Sequence, residues 1–175
     1  VLKQLSKYFS NILLIDDASN DNTLRIAKSS NLCTVVEHSI NCGQGTSLST
    51  GIKYFLKYSD FSYLITFDGD GQHNVKDCLK MLSFARKNNY KAIFASRFIG
   101  KRKTKLPKLR AIFLKMAVLF EKIFFNINLS DAHNGLRILS REACEKLIFL
   151  NCSYMAHATE IPNILVRNKI NIFEH

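Results

Sequence analysis

The sequence predicts an α/β fold with a mostly parallel central sheet. Short apolar runs rich in β-formers recur through the first half of the chain. Each is followed by a stretch with the apolar spacing of a helix, and this alternation is the pattern of βαβ units. Two of the runs also stop abruptly in acidic turns. In an open α/β sheet the carboxyl ends of the strands are where ligands sit.

The chain opens within a helical pattern. Val1, Leu2, Leu5, Tyr8 and Phe9 follow helical spacing, with no capping residue ahead of them. Residues 12–15 form the first predicted strand, ending in Asp16-Asp17-Ala18-Ser19-Asn20-Asp21-Asn22-Thr23. Ser19 or Asp21 can cap a helix that turns Leu24 and Ala27 inward. A cap accounts for one acid but not three, so Asp17 is expected to bind a ligand. Residues 33–37 form the second strand. The turn after it carries Gly43 and Gly45, whose backbone N–H groups can face a phosphate ahead of a helix over 46–58. It is neither a Walker loop nor a dinucleotide fingerprint, because Gly-Lys-Ser/Thr is absent and Gly51 lies too deep in the helix.

The third strand, 63–67, runs into Asp68-Gly69-Asp70-Gly71-Gln72-His73. Asp68 and Asp70 stand two apart, so an extended backbone projects both carboxylates to one side. Gly69 and Gly71 supply the turn and leave room for a ligand. Two close carboxylates repel unless something neutralises them. A hard divalent cation, Mg2+ or Mn2+, does so with oxygen ligands, and Gln72 offers a neutral third oxygen. An ordinary acidic surface turn is the alternative. Asn74 caps the next helix, which carries Val75, Leu79, Leu82 and Ala85 on one face and Asp77 in its first turn. Residues 92–96 form the fourth strand, with Arg97 at its end.

The second half changes character. Residues 101–105 are basic, Pro107 breaks the chain, and 108–125 interleave large apolar residues with Arg110, Lys115 and Lys122. Such an amphipathic basic helix either packs on the sheet or lies on a membrane surface, and periodicity alone does not separate the two. A polar turn over 131–137 precedes Ile138-Leu139, and Ser140 is a good cap for a helix over 141–149. Thr159 is expected to cap the last helix, with Pro162 in its first turn. Residues 170–173 read as a final strand.

A chain of 175 residues that is 47% hydrophobic suits a single domain over 1–175 with its own core. No apolar run nears the ~20 residues of a bilayer span. The five cysteines show no Cys-x-x-Cys spacing, which fits reduced structural thiols of a cytosolic protein better than a disulfide framework or zinc site. The formal charge of +11 points to an anionic partner. Nucleic acid is disfavoured, because acidic turns line the proposed site and no aromatic-basic signature occurs. His73, His133 and His157 are expected to be hydrogen-bonded polar residues, not general bases.

Together, Asp16-Asp17-x-Ser19-x-Asp21-x-Thr23, Asn41-x-Gly43-Gln44-Gly45 with Gly51, Asp68-x-Asp70-Gly71-Gln72-His73 and Ser96-Arg97 occur in the order seen in family 2 glycosyltransferases. The later Asp131-x-His133-Asn134-Gly135-x-Arg137 and Glu160 resemble the subgroup of dolichyl-phosphate mannose synthases and bacterial polyprenyl-phosphate glycosyltransferases. The resemblance runs from about residue 12 to the last, and its strength lies in five motifs in order. It implies a GT-A (Rossmann-like) fold, a nucleotide-diphosphate sugar donor, an inverting transfer and a lipid-phosphate acceptor. Asp17, Asp68 and Gly43 would then bind the nucleotide. Asp68, Asp70 and Gln72 would hold Mg2+ or Mn2+ against the diphosphate. Arg97, Arg110 and Arg137 would face phosphate, with Asp70 and Arg97 closest to the chemistry. An anionic acceptor oxygen needs no general base, which agrees with the lack of a convincing one. The implied location is peripheral, at the cytoplasmic face of a membrane.

Two departures from the family pattern stand out. The chain lacks the opening strand with a Pro-x-x-Asn-Glu-like motif, and its last strand stops early. The 175 residues are therefore expected to be a piece of a longer protein, incomplete at both ends and inactive as they stand. The absent strand is expected between residues 12–15 and 63–67. A sugar nucleotidyltransferase, or a non-catalytic fragment that binds nucleotide or membrane, is the alternative expectation.

Overall fold

The computed structural model describes residues 1–99, 129–131, 134–150 and 156–175. The expected basic helix, with Arg110, and the positions of His133 and Cys152 lie outside the described residues. The strands are β1 (Leu13–Asp16), β2 (Thr34–Glu37), β3 (Tyr63–Thr66), β4 (Ala92–Phe94), β5 (Arg137–Ser140) and β6 (Ile172–Glu174). The helices are α1 (Leu2–Leu5), α2 (Thr23–Ser30), α3 (Gln44–Tyr58), α4 (Val75–Asn88), α5 (Arg141–Lys146) and α6 (His157–Arg167).

Two sheets result. β1 and β2 pair in parallel, Leu13 opposite Thr34 and Asp16 opposite Glu37. The second sheet has the order β3-β5-β4-β6. β4 and β6 are parallel, while β5 runs antiparallel between β3 and β4. β1 and β3 share no ladder, but α3 packs against both and spans the two sheets. The fold is mixed α/β, and β5 adds an antiparallel strand that sequence periodicity does not mark.

The central strands are buried on both faces. On one side Ala92, Phe94 and Leu139 join Ile52 and Phe55 of α3 and Ile161 and Leu165 of α6. On the other, Ile93 and Ile138 meet Cys78, Met81 and Ala85 of α4. Alternate strand residues thus feed opposite layers. Burial of both faces explains why these strands read as continuous apolar runs instead of alternating ones.

Helix ends follow local chemistry where caps are present. The Asn74 side chain accepts from the Lys76 N–H at 2.9 Å, and Ser140 Oγ accepts from the Ala143 N–H at 3.1 Å. α2 and α4 both stop at asparagines in the left-handed region, Asn31 and Asn89, each at φ 54°, a conformation that asparagine tolerates better than most residues. α6 departs from expectation. It begins at His157 after Ala156, without a side-chain cap, and Pro162 falls inside it. Burial of His157, Ala158 and Ile161 sets its start, where sequence pointed to a Thr159 cap.

Asn74→Ala removes one capping acceptor and touches nothing buried, so it should cost about 1 kcal/mol. The melting temperature should fall by about 2–4 °C for a chain of this size. A thermal melt followed by circular dichroism checks this, and an unchanged midpoint would show that the cap contributes nothing.

Candidate functional site

The site grows from the end of β3. Thr66 is buried, and its hydroxyl donates to the Gly135 carbonyl at 2.6 Å. That bond draws the segment before β5 against the strand end. A Cβ added at Gly135 would lie 2.0 Å from Asp68 Oδ2, so a side chain there would collide with the carboxylate. Asp68 Oδ1 accepts from Gln44 Nε2 at 3.0 Å, and Oδ2 lies 3.1 Å from His73 Nε2. The His73 ring sits edge-on to Phe67. The bond from His73 holds the Asp68 carboxyl below its usual range, against the opposing effect of burial. The charges of His73, Arg137 and His157 add to the lowering. Beyond it the turn closes through Gly71, at φ 80°, and through the Gln72 N–H donating to Asp70 Oδ1 at 2.9 Å. Asp70 and Gln72 are both exposed.

A second cluster lies within electrostatic reach of Asp68. Asp131, whose side chain is fully buried, receives Arg97 Nε and Nη2, each at 2.7 Å, and the Arg97 backbone N–H at 3.0 Å. This two-pronged bond raises the Arg97 pKa; burial opposes it, and the charges of Asp131 and Asp68 reinforce it. Arg137 is 1% exposed and stacks its guanidinium 5.0 Å from the Phe94 ring centroid. Burial pulls its pKa down to about 10, while Asp68 and Asp131 pull the other way. Glu174, at the end of β6, accepts from the Ser130 N–H at 2.8 Å, the Ser130 hydroxyl at 3.0 Å and the Asp131 N–H at 3.1 Å. It thereby fixes the segment that fixes Arg97.

The third cluster closes around Asp17. Its Oδ1 accepts from the Cys42 N–H at 2.9 Å and from His38 Nδ1 at 2.7 Å, and its Oδ2 from the Gly43 N–H at 2.7 Å. Burial acts to raise its pKa, but the bonds from Cys42, His38 and Gly43 prevail and hold it low. Gly43 sits at φ 87°, which favours glycine. Its N–H, expected to face a phosphate, is directed at Asp17. His38 Nε2 is 2.9 Å from Thr50 Oγ1. Carboxylate, imidazole and hydroxyl thus have the connectivity of a hydrolytic triad. Thr50, however, lies inside α3, where backbone N–H groups serve the helix and not an oxyanion.

Of the residues singled out in the sequence, the structure therefore groups Asp68 with Arg97 and Arg137, and Asp17 with Gly43. Asp131, Gly135 and Glu174 were not recognised as supports. Asp131 and Gly135 stand in the sequence as letters of the Asp131-x-His133-Asn134-Gly135-x-Arg137 resemblance, with nothing local to show what they support, and Glu174 carries no local signal at all.

Residues 1–148 match the family model described as Glycosyl transferase family 2. The chain belongs to that family. It is 36% identical over 149 residues to the uncharacterized protein MJ1222 of Methanocaldococcus jannaschii, a match covering 84% of the chain and only 60% of the relative's length. It is 26% identical over 184 residues to the UDP-N-acetylglucosamine--dolichyl-phosphate N-acetylglucosaminyltransferase of Methanococcus voltae, covering 95% of the chain and 73% of that protein. Among solved structures, S. aureus TarS 1-349 superposes with a TM-score of 0.66 at 14% identity, over all of this chain and 52% of that one. The same protein in complex with UDP superposes with a TM-score of 0.59. At such identity the likeness shows the fold alone.

The lowered pKa of Asp68 has a consequence for stability. A depressed folded-state pKa contributes stability above the unfolded value and loses it as pH falls through the folded one, that is, below about pH 4. Urea midpoints measured from neutral pH downward should therefore fall more steeply at the acid end for the natural chain than for Asp68→Asn. Parallel acid limbs would show that His73 does not hold the ionised form.

Proposed function

We propose that this domain moves a sugar from a nucleoside-diphosphate donor to a polyprenyl, dolichyl-type phosphate. The observation that carries the reading is the ionised Asp68 at the end of β3, wedged against Gly135 and facing the charges of Arg97 and Arg137. The dolichyl-phosphate specificity in the name of the Methanococcus voltae relative supports the acceptor class. The UDP complex of TarS supports a nucleotide donor. No helix among the described residues is long and apolar enough to cross a membrane. Contact with the lipid acceptor is proposed to be peripheral, through the basic stretch at 101–115.

In the proposed reaction an acceptor phosphate oxygen attacks the anomeric carbon as the bond from that carbon to the diphosphate breaks. The attacking oxygen is already anionic, so no side chain has to remove a proton. The cost lies in the charge that gathers on the leaving diphosphate, which fixed positive groups stabilise best when they are held in place beforehand. Arg97 is so held by Asp131, and Arg137 by its burial against Phe94. Asp68, Asp70 and Gln72 present hard oxygen donors, and the lowered pKa of Asp68 keeps it ionised, so the set suits Mg2+ or Mn2+. Such a cation, when bound, would supply charge neutralisation at the diphosphate. Asp17 would complete the donor site through the loop it clamps.

Asp70 is exposed and supports only its own turn. Asp70→Asn should therefore keep the fold and lose metal-dependent nucleotide binding, by tenfold or more in calorimetry on the order of one lost charged ligand. Unchanged nucleotide affinity in this variant would sink the metal assignment.

The membrane part of the proposal rests on Lys101, Arg102, Lys103, Lys105, Lys108, Arg110 and Lys115. Each cation contributes about 1 kcal/mol near anionic lipid and is screened by salt. Binding to phosphatidylserine vesicles in a flotation assay should be clear at low salt and fade as salt rises. A chain that ignores such vesicles at low salt would remove the membrane reading.

A further inference from the structure

We propose that Asp17, His38 and Cys42 form a binding site for a borderline divalent cation, Zn2+ by its donor chemistry, separate from the hard oxygen donors of Asp68, Asp70 and Gln72. One carboxylate oxygen, one imidazole nitrogen and the thiol sulfur of these residues all lie within 4.8 Å of one another. Among the described residues they are the one such grouping of histidine, cysteine and acidic donors. Asp17 comes from the turn after β1, and His38 and Cys42 come from the loop between β2 and α3, so the parallel pairing of β1 with β2 brings them together. All three are partly accessible, which leaves a path for the ion.

The geometry needs little change. Donors around a tetrahedral Zn2+ stand roughly 3.3–3.6 Å apart, given bonds of about 2.0–2.3 Å. The Asp17–His38 contact of 2.7 Å would open by less than about 1 Å to admit the ion. Asp17 Oδ1, once His38 Nδ1 no longer donates to it, keeps one lone pair beside the Cys42 N–H for the metal. His38 already has an outer partner: its Nε2 faces Thr50 Oγ1 at 2.9 Å. On binding, the imidazole proton would sit on Nε2 and donate to Thr50, freeing Nδ1, and the Cys42 thiol would release one proton to solvent. A histidine ligand held through its second nitrogen is the usual arrangement in metal sites. Three protein ligands would leave a fourth position open to water or an anion. Thiolate and imidazole select against Mg2+ and Mn2+, which prefer oxygen.

The other described thiols offer nothing comparable. Cys78 and Cys144 are fully buried, and burial pushes their pKa values up to about 11 and about 12. Cys33 is partly exposed and serves as the control.

The proposal does not rest on the glycosyl-transfer reading, and its test needs no activity. The untagged chain, reduced without thiol reagents, is titrated with Co2+ as a spectroscopic stand-in for Zn2+. A thiolate-to-cobalt charge-transfer band with tetrahedral visible bands should appear, be displaced by stoichiometric Zn2+ and resist excess Mg2+. Cys42→Ser keeps the backbone N–H that Asp17 uses, so it should melt normally without metal yet lose the band. Cys33→Ser should keep it. Thr50→Val should weaken Zn2+ binding by about 10–100-fold. Zn2+ should also raise the melting temperature of the natural chain more than that of Cys42→Ser. Absence of the band at saturating Co2+, its survival in Cys42→Ser, or its displacement by Mg2+ would overturn the proposal.

Discussion

The contact between Asp68 and Gly135 sets the spacing of the whole charged centre. A carboxylate occupies the volume where any other residue at position 135 would place its Cβ. The Thr66 hydroxyl bonded to the Gly135 carbonyl keeps the two segments in that register. β5 starts two residues later, so the same contact fixes Arg137, which pairs with Thr66 on one side and Phe94 on the other. The antiparallel insertion of β5 is thus what brings a buried guanidinium to the carboxyl ends of β3 and β4. An acidic turn at a strand end is a common feature; this one is distinguished by the glycine behind it and the buried arginine beside it, and the proposed site rests on that difference.

Charge balance follows from this arrangement. Moving an ion into a protein interior costs several kcal/mol after relaxation, and an arginine keeps its charge there, so Arg137 is tolerated only with opposite charge close by. Asp68 and Asp131 offset it, and Arg97 in turn answers Asp131. Two arginines and two aspartates leave the cluster neutral in sum. The pairing holds both guanidiniums in place for an arriving diphosphate, and a cation at the exposed oxygens of Asp70 and Gln72 would add to the positive charge they offer. Glu174 stands outside that sum: it meets backbone N–H groups and a hydroxyl, so it holds geometry without competing for the arginines.

Much of this was legible in the sequence, for identifiable reasons. Strands β1 to β4 are apolar, short and punctuated, and the caps Asn74 and Ser140 act through hydrogen bonds within three residues of themselves. The acidic residues Asp17 and Asp68 stood out because they follow apolar runs. β5 was missed because Ile138 and Leu139 are too short a run to show a period, and its flanks, Arg137 and Ser140, look like surface residues. Arg137 is buried by partners from strands far away in the chain, and no window of sequence contains them. The supports Asp131 and Glu174 have the same difficulty, since one acts across 34 residues and the other across 43 or 44. The glycine turn before α3 read as a phosphate loop because sequence shows free N–H groups but not the carboxylate already facing them.

That turn also links the two acidic centres. Asp17 belongs to the sheet of β1 and β2, Asp68 follows the sheet of β3, and no strand ladder joins those sheets among the described residues. The connection runs through consecutive residues at the start of α3: the Gly43 N–H meets Asp17 and the Gln44 side chain meets Asp68. Asp17 therefore lies at the helix N-terminus, whose partial positive charge favours it by a few tenths of a kcal/mol to about 1 kcal/mol, while Asp68 is tied to the same end through the Gln44 side chain. The body of α3 anchors this end by burying Ile52 and Phe55 in the core formed with β4, β5 and α6. A shift of α3 along its axis would consequently carry both hydrogen bonds with it. Their relative position is therefore a property of how α3 packs, and substitutions at Ile52 or Phe55 would reach the site without touching it.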